Sequence, residues 1–179
     1  RNIPDPNLIT YFRRRIPEHT VRINGVAYAW IYPAVILRGG LPEGVTPLKI
    51  RMGDAVILEG YAVRPAADHP HALDVALYWR ALRSALPEYF VYVRAVDGAG
   101  NIHARADAPP VFGFLPTPRW QAGQLIEDVQ RLVRPAETLP GRYQLEVGMY
   151  DPQSWAVLPP AEGVRGGGGG LILGEVILP

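Results

Sequence analysis

The stretch GRYQLEVGMYDP, residues 141–152, decides the fold, because it carries the most regular strand pattern in the chain. Apolar side chains occupy every second position between polar or small residues; they are Tyr143, Leu145, Val147 and Met149. Neighbouring side chains of a strand point to opposite faces, so this alternation predicts one face in a core and the other toward solvent or a second layer. Turn-forming pairs mark both ends, Pro140-Gly141 and Asp151-Pro152. The stretch therefore predicts one strand of an all-β domain.

Further segments with strand-like composition give a count of about nine strands, at the spacing of a β-sandwich. They cover residues 20–23, 27–37, 56–63, 73–80, 89–97, 102–106, 125–133, 155–158 and 171–178. Asn24-Gly25 is a strong hairpin signal between the first two segments. Imperfect alternation predicts a bulge within 125–133. The glycine run at 163–170 is predicted to be a flexible loop, and the strand that follows it is expected at a sheet edge.

Two connections in the middle of the chain determine the expected topology. We expect residues 73–81 and 89–97 to pair as a hairpin across a short connection. The segment 108–123 is rich in proline, so it is predicted to leave regular structure and to cross from one sheet to the other. The expected fold is an all-β, antiparallel β-sandwich, immunoglobulin-like or jelly-roll-like.

The N-terminal segment has a different pattern. Asp5 and Pro6 are typical of a helix start, and the apolar residues that follow recur at roughly helical spacing. Arg13, Arg14 and Arg15 fall in the last turn, where cations suit the helix dipole. Contact with phosphate or lipid headgroups is an alternative, although a solvated helix end is favoured. We predict a short helix over 5–15, within an N-terminal helical arm (1–20) that precedes the β-sandwich domain (21–179).

Composition bounds the function classes. The 179 residues suffice for one domain with a sizeable core. A net charge of +1 provides no field that would attract nucleic acid or an anionic membrane. Cysteine is absent, which excludes disulfides, thiol catalysis and thiolate metal sites. The sequence contains no run of about 20 apolar residues and no signal-peptide pattern at Arg1. We therefore expect a soluble piece of a longer protein, in which any targeting signal would lie upstream.

The titratable residues form no catalytic or metal-binding pattern. Glu127 and Asp128 are neighbours on a strand and point to opposite faces, so they cannot form an acid/base pair by themselves. His69 and His71 lie in a loop without a third ligand, which favours solvated histidines over a metal site. The segment 97–101 lacks the ligand spacing of a calcium loop and is predicted to be a turn. We expect neither a cofactor nor a metal.

Aromatic residues beside arginines are the candidates for a binding surface. If 73–81 pairs with 89–97, the face opposite the core carries Tyr78, Arg80, Phe90, Tyr92 and Arg94. Sugar rings stack on exposed aromatic side chains, so this patch is suited to a glycan. It is equally suited to packing against the N-terminal helix or against a protein body outside the chain, and packing is the favoured interpretation.

The tryptophans offer one more candidate. Trp120 lies in the proline-rich crossing segment and is a ligand candidate, although a plug that seals one end of the sandwich is favoured. Trp30, Trp79 and Trp155 are predicted to lie in the core or at its edge.

Several stretches resemble a known family. They are LDVALYWRAL (73–82), YFVYVRAVDGAGNI (89–102), PTPRWQAG (116–123) and PGRYQLEVGMYDP (140–152). They are similar to the C-terminal β-sandwich of bacterial, Chloroflexi-like membrane glycosyltransferases of the dolichyl-phosphate-mannose protein mannosyltransferase type. The opening YFRRRIPEHTVRINGVAYAWIYP (11–33) resembles the segment that precedes that sandwich. The resemblance covers most of residues 8–158.

The resemblance implies an extracytoplasmic location, tethered to the membrane in the full-length protein, and a polyprenyl-phosphate sugar as the donor of the parent enzyme. The family's catalytic acidic residue lies upstream of Arg1, so no catalytic residue is carried over. The first hypothesis is a non-catalytic accessory domain with a structural or interaction role, whose partner is the remainder of the parent protein. The alternative is a carbohydrate-binding module that presents the acceptor or product glycan through Tyr78, Arg80, Tyr92, Arg94 or Trp120. A free-standing hydrolase is the least favoured.

Overall fold

The computed structural model describes residues 19–31, 35–37 and 39–179. The predicted helix at 5–15, with Arg13, Arg14 and Arg15, lies outside the described residues. The described part contains eleven strands, two more than the approximate number expected. They are β1 (His19–Ile23), β2 (Val26–Ile31), β3 (Ile36–Leu37), β4 (Thr46–Met52), β5 (Val56–Pro65), β6 (Ala72–Ala81), β7 (Phe90–Val96), β8 (Ile102–Ala108), β9 (Leu125–Val133), β10 (Gly141–Tyr150) and β11 (Leu171–Leu178).

The two main sheets form an antiparallel β-sandwich, which confirms the predicted fold class. One sheet has five strands in the order β3-β9-β6-β5-β4, and the other has four in the order β11-β10-β7-β8. The chain changes sheet between β6 and β7, between β8 and β9, and again between β9 and β10. As a result β9 pairs with β6, and β10 pairs with β7, although neither pair is consecutive in the chain.

The core lies between these sheets and is built by the alternation read from the sequence. On β10, Leu145, Val147 and Met149 are completely buried, and Tyr143 packs against the same cluster. The facing side chains of β6 include Leu77 and Trp79, which are also fully buried. The other face of β10 is covered as well from Glu146 to Tyr150, so it faces a second layer and not solvent.

The predicted hairpin at Asn24-Gly25 is confirmed. Both residues have positive φ, 51° and 79°, as a two-residue turn of this kind requires. β1 and β2 pair with each other as a separate two-stranded sheet. The second strand was predicted to run to residue 37, but β2 ends at Ile31, and β3 belongs to the five-stranded sheet.

The predicted pairing of 73–81 with 89–97 is wrong. β6 lies in the five-stranded sheet and β7 in the four-stranded one, so the two strands face each other across the core. Both have an apolar inner face, and alternation alone cannot distinguish strands that pair edge to edge from strands packed face to face. The connection is fixed by Thr117, whose Oγ1 accepts from the Tyr89 N–H at 2.8 Å and donates to the Pro87 carbonyl at 2.6 Å.

The proline-rich segment crosses between the sheets as predicted, since β8 and β9 belong to different sheets. It contains a turn at Pro110–Gly113, whose central residues have positive φ, and a short 3₁₀ turn at Thr117–Arg119. β11 occupies the sheet edge expected of the last strand. Residues 155–158 do not form the predicted strand: Val157 makes only an isolated bridge to Tyr150.

The bulge predicted in β9 is also wrong, because the register of β9 against β6 runs without a shift. The alternation is regular, but two inward positions carry polar residues, Asp128 and Gln130. These polar residues made a regular strand look irregular in the sequence.

Candidate functional site

The outer face of the four-stranded sheet carries the densest group of polar and aromatic side chains. β7 contributes Tyr92 and Arg94, and β10 contributes Glu146 and Tyr150. On β8, Asp107 lies opposite Tyr92. Strand alternation places all five on the face away from the core.

The glycine run folds over one half of this face. Tyr92 Oη donates to the Gly168 carbonyl at 3.2 Å, and the N–H groups of Gly168 and Gly170 donate to Glu146 Oε1 at 3.0 and 3.1 Å. Glu146 is thereby almost fully buried. A carboxylate taken from water needs such donors, so Glu146 holds the loop on the sheet.

Packing explains why the run is glycine. A Cβ on Gly166 would collide with the Glu146 side chain, one on Gly168 with Arg94, and one on Gly170 with Tyr92 and the Val147 carbonyl. By contrast, nothing lies within 4 Å of a Cβ built on Gly167. The run predicted to be flexible therefore makes defined contacts, and every second glycine is the inward-facing one.

Arg94 and Tyr92 form a cation–π pair beneath the loop, with Arg94 Cζ 4.1 Å from the centre of the Tyr92 ring. Burial, followed by the Glu146 charge, raises the pKa of the Tyr92 hydroxyl. Arg94 Nε is buried and has no hydrogen-bond partner among the described residues. Tyr92 itself is 1% exposed, so neither face of its ring is open to a ligand.

The other half of this face, at Tyr150 and Asp107, lies beyond the contacts of the glycine run. Tyr150 Oη donates to Asp107 Oδ1 at 2.6 Å. Burial and this carboxylate raise the pKa of Tyr150 to about 12, so its hydroxyl remains a donor at neutral pH. The Trp155 ring stacks on Tyr150, with centroids 5.4 Å apart and planes 7° from parallel. Trp155 is 71% exposed, so its predicted place in the core or at its edge is wrong.

Two of the five patch residues, Tyr78 and Arg80, lie on the opposite side of the molecule, whereas Phe90 lies on β7 with Tyr92 and Arg94. Tyr78 and Arg80 are on the outer face of the five-stranded sheet, where Tyr78 Oη donates to Glu127 Oε1 at 3.0 Å. Arg80 pairs with Glu59 and donates to the Gly123 carbonyl at 2.9 Å. The single patch expected from the sequence is therefore divided between two faces, because the hairpin that would have joined it does not form.

Trp120 is the buried plug that the sequence favoured. It is 1% exposed, and its indole N–H donates to the Leu115 carbonyl at 2.9 Å. Trp79 is fully buried, as predicted. The Trp30 side chain lies outside the part of the chain whose side chains are described.

A polar cluster inside the sandwich was not singled out from the sequence as a buried site. Asp128 is fully buried and accepts from the Val111 N–H at 2.8 Å and from Gln130 Nε2 at 3.0 Å. Burial raises the pKa of Asp128 to about 6, against the lowering effects of Gln130, Val111 and Trp79. Trp79 Nε1 is buried and makes no hydrogen bond to a described residue.

This cluster holds a strained turn. Val111 and Phe112 have φ of 52° and 53°, a left-handed conformation that is rare for a β-branched residue. The Asp128 carboxylate binds the N–H of the first of them. Glu127, its neighbour, points to the opposite face, as predicted, and the two carboxylates do not converge.

The loop histidines and the 97–101 turn have structural contacts. Asp97 accepts from the N–H groups of Ala99 and Asn101, and His103 lies 2.9 Å from its second oxygen. These hydrogen bonds, His103 first, hold the pKa of Asp97 well below its usual range. His71 contacts Arg134. Among the described residues there is no group of three or more potential metal ligands.

The described residues contain no helix long and apolar enough to cross a membrane. Comparison of the chain with models of known protein families and with curated proteins gives no match.

Proposed function

We propose that the chain is a non-catalytic, extracytoplasmic accessory domain of a membrane glycosyltransferase, with a structural and interaction role. The observation that carries the non-catalytic part is the use made of its buried carboxylates. Glu146 binds the glycine loop and Asp128 binds the turn at Val111. Each of these groups is occupied by backbone N–H donors, as expected of a residue that braces a loop and does not meet a substrate.

The stretches that carry the resemblance support the same interpretation. They coincide with β6, with β7 and the turn after it, with the turn that carries Trp120, and with β10. These are the elements that fill and seal the core. The resemblance therefore concerns the scaffold, and the assignment to a membrane glycosyltransferase rests on this resemblance alone.

The complete reading frame tests the address. We expect several membrane-spanning segments upstream of Arg1 and, in the intact parent protein, protease accessibility of residues 19–179 only from the extracytoplasmic side. Removing the domain from the parent protein should lower its accumulation or its transfer to acceptor, while donor binding by the membrane body is retained. An upstream sequence without membrane segments, or glycosyl transfer by the chain alone, would refute the proposal.

The second candidate, a carbohydrate-binding module, needs an exposed aromatic ring beside free polar groups. Tyr78, Tyr92 and Trp120 are all buried, so they do not meet that condition. Trp155, which is exposed and stacks on Tyr150, does meet it, and this observation supports the second candidate.

A further inference from the structure

One face of the Trp155 indole stacks on Tyr150, and the other face is exposed to solvent. Its stacking partner, Tyr150, belongs to β10 and is itself buried to more than nine-tenths. With 71% of its surface exposed, Trp155 gains little from burial, so its position is not explained by core packing. Phe90 contacts Tyr150 from another side, with ring centroids 6.0 Å apart, and fixes the base of the stack.

The loop that carries Trp155 holds the ring in a preset orientation. Trp155 has φ of 62°, in the left-handed region that side-chain-bearing residues seldom occupy. Its N–H donates to the Asp151 carbonyl at 2.8 Å, and the Asp151 N–H donates to the Ala156 carbonyl at 3.0 Å. Asp151 Oδ1 accepts from the Gln153 N–H at 2.8 Å. A ligand that meets this ring therefore does not have to order it first, which favours binding.

Polar groups stand beside the stack. Asp107 is exposed on β8, with Oδ1 held by the Tyr150 hydroxyl. Asp107 Oδ2 accepts no hydrogen bond from any described residue. Arg105, two positions along β8, is exposed on the same face. An acceptor and a cationic donor are thus available on the sheet that carries the stacked rings.

We infer that Trp155, Tyr150 and Asp107 form a shallow binding surface for a neutral pyranose unit of a glycan. The C–H groups on one face of a pyranose carry partial positive charge and lie favourably on the negative face of an indole. The sugar hydroxyls, in turn, need polar partners such as Asp107. A flat sugar ring matches the free face of Trp155.

Other occupants fit this surface less well. The loop that carries the indole exposes Gln153 and Ser154 as well as Ala156, and β8 exposes Arg105 and Asp107, so the surroundings are too polar for an apolar peptide or a lipid surface. A net charge of +1 gives little attraction for a nucleic acid. The inference deepens the proposed accessory role by giving it a ligand, but its test does not involve the parent enzyme.

The test is a binding titration on the complete 179-residue chain. The probes are methyl α-D-mannopyranoside, methyl β-D-glucopyranoside, mannotetraose and cellotetraose, followed by saturation-transfer NMR and tryptophan fluorescence. We expect at least one probe to bind with Kd on the order of 1 mM, a value typical of a small ligand held by few contacts. The W155G variant should weaken this binding roughly tenfold or more, since an aromatic stack is worth about that factor.

Three controls separate binding from folding. Glycine is at ease at positive φ, so W155G should keep the wild-type fold, as judged by its amide NMR spectrum. W155F retains a stacking ring and should bind within about threefold of wild type. D107N should weaken binding by a smaller factor than W155G, because it removes charge from one polar partner and leaves the ring.

Absence of binding by every probe up to about 10 mM would overturn the inference, as would binding that W155G leaves unchanged. Trp155-dependent binding of adenosine monophosphate or of phosphatidylglycerol vesicles, with none of the sugars, would overturn it as well and assign the surface to a different ligand. None of these results bears on whether membrane segments precede Arg1, so failure of this inference and failure of the proposed address are distinguishable.

Discussion

Replacing the buried Asp128 by asparagine should stabilise the protein at neutral pH. In the folded state the pKa of Asp128 is raised to about 6, from an ordinary value of 3.8, mainly by burial. At about 1.4 kcal/mol per pH unit, keeping this carboxylate charged in the core costs about 3 kcal/mol. An asparagine removes the charge and keeps an oxygen for the Val111 N–H, while Gln130 can turn its amide to accept from the new side-chain NH₂.

The pH dependence has a definite sign. Between about pH 4 and pH 6 the folded state binds more protons at Asp128 than the unfolded state does, so stability falls as pH rises through this window and levels off above it. The advantage of D128N should therefore be about 3 kcal/mol near pH 7 and near zero at about pH 4. Asp97 and Asp151, whose pKa values are lowered by hydrogen bonds, contribute stability that is lost only below about pH 4, outside this window.

Urea unfolding followed by tryptophan fluorescence, at several pH values from about 4 to 7, measures the difference. D128A is the matched control. It removes the charge and also the acceptor of the Val111 N–H, so it should fall below D128N by about 1–3 kcal/mol at every pH. A D128N variant that is less stable than wild type by the same amount at all pH values would refute the reasoning, since it would mean that the charge is stabilised in place.

Three further comparisons use pairs of variants within the chain. G170A should lower the free energy of unfolding by about 2 kcal/mol or more, because its Cβ meets the Val147 carbonyl as well as Tyr92. G167A has open space around its Cβ, so it should leave the free energy of unfolding unchanged or raise it by about 0.5 kcal/mol. Urea unfolding of both variants decides this. W120A should lower stability by about 3–5 kcal/mol, as for a buried tryptophan. W155G should stay within about 1 kcal/mol of wild type, because loss of the aromatic stack is offset by relief of the positive φ. Equal losses of stability in thermal unfolding would contradict the assignment of Trp120 as a buried plug and Trp155 as a surface ring. R131A should lower stability by about 2–3 kcal/mol, since this largely buried guanidinium binds both Asp74 and Asp68. Arg142 forms an exposed pair with Glu175, so R142A should change stability by less than about 0.5 kcal/mol. Similar values for the two variants would show that burial of the Arg131 ion pairs has no effect on stability.

The sequence sufficed for most of the strands, because alternation reports which side chains are buried, but it missed β4 and predicted a strand at 155–158 that does not form. β10 begins at Gly141 and ends just before Asp151, where the turn signals place its limits. The sequence could not predict which strands pair with each other. The apolar inner faces of β6 and β7 have the same pattern whether the two strands are hydrogen-bonded neighbours or lie in opposite sheets across the core. The Thr117 hydroxyl that fixes the connection is about 30 residues away, and no local pattern announces a contact at that separation.

The glycine run shows a second limit. From composition, five consecutive glycines predict a chain that loses much entropy on ordering and so stays flexible. The structure supplies an opposing reason, since Glu146, Arg94 and Tyr92 fill the space that side chains at 166, 168 and 170 would need. Whether glycine serves freedom or close approach depends on the surface beneath it, and that surface comes from strands far away in the chain.

The exposure of the aromatic residues in the candidate site also depends on segments that are distant in the chain. Tyr92 was chosen from the sequence because it faces away from the core, yet the glycine loop buries it. Trp155 was assigned to the core or its edge, yet it is exposed. Facing away from one core does not make a side chain free, since a second layer can cover it. The informative feature of Trp155 is the combination of large exposure, a stacked partner and a positive φ, all three of which are properties of the folded chain. A binding surface on this sheet therefore has to be sought where the covering loop stops, at Tyr150, and not where the sequence placed its aromatic residues.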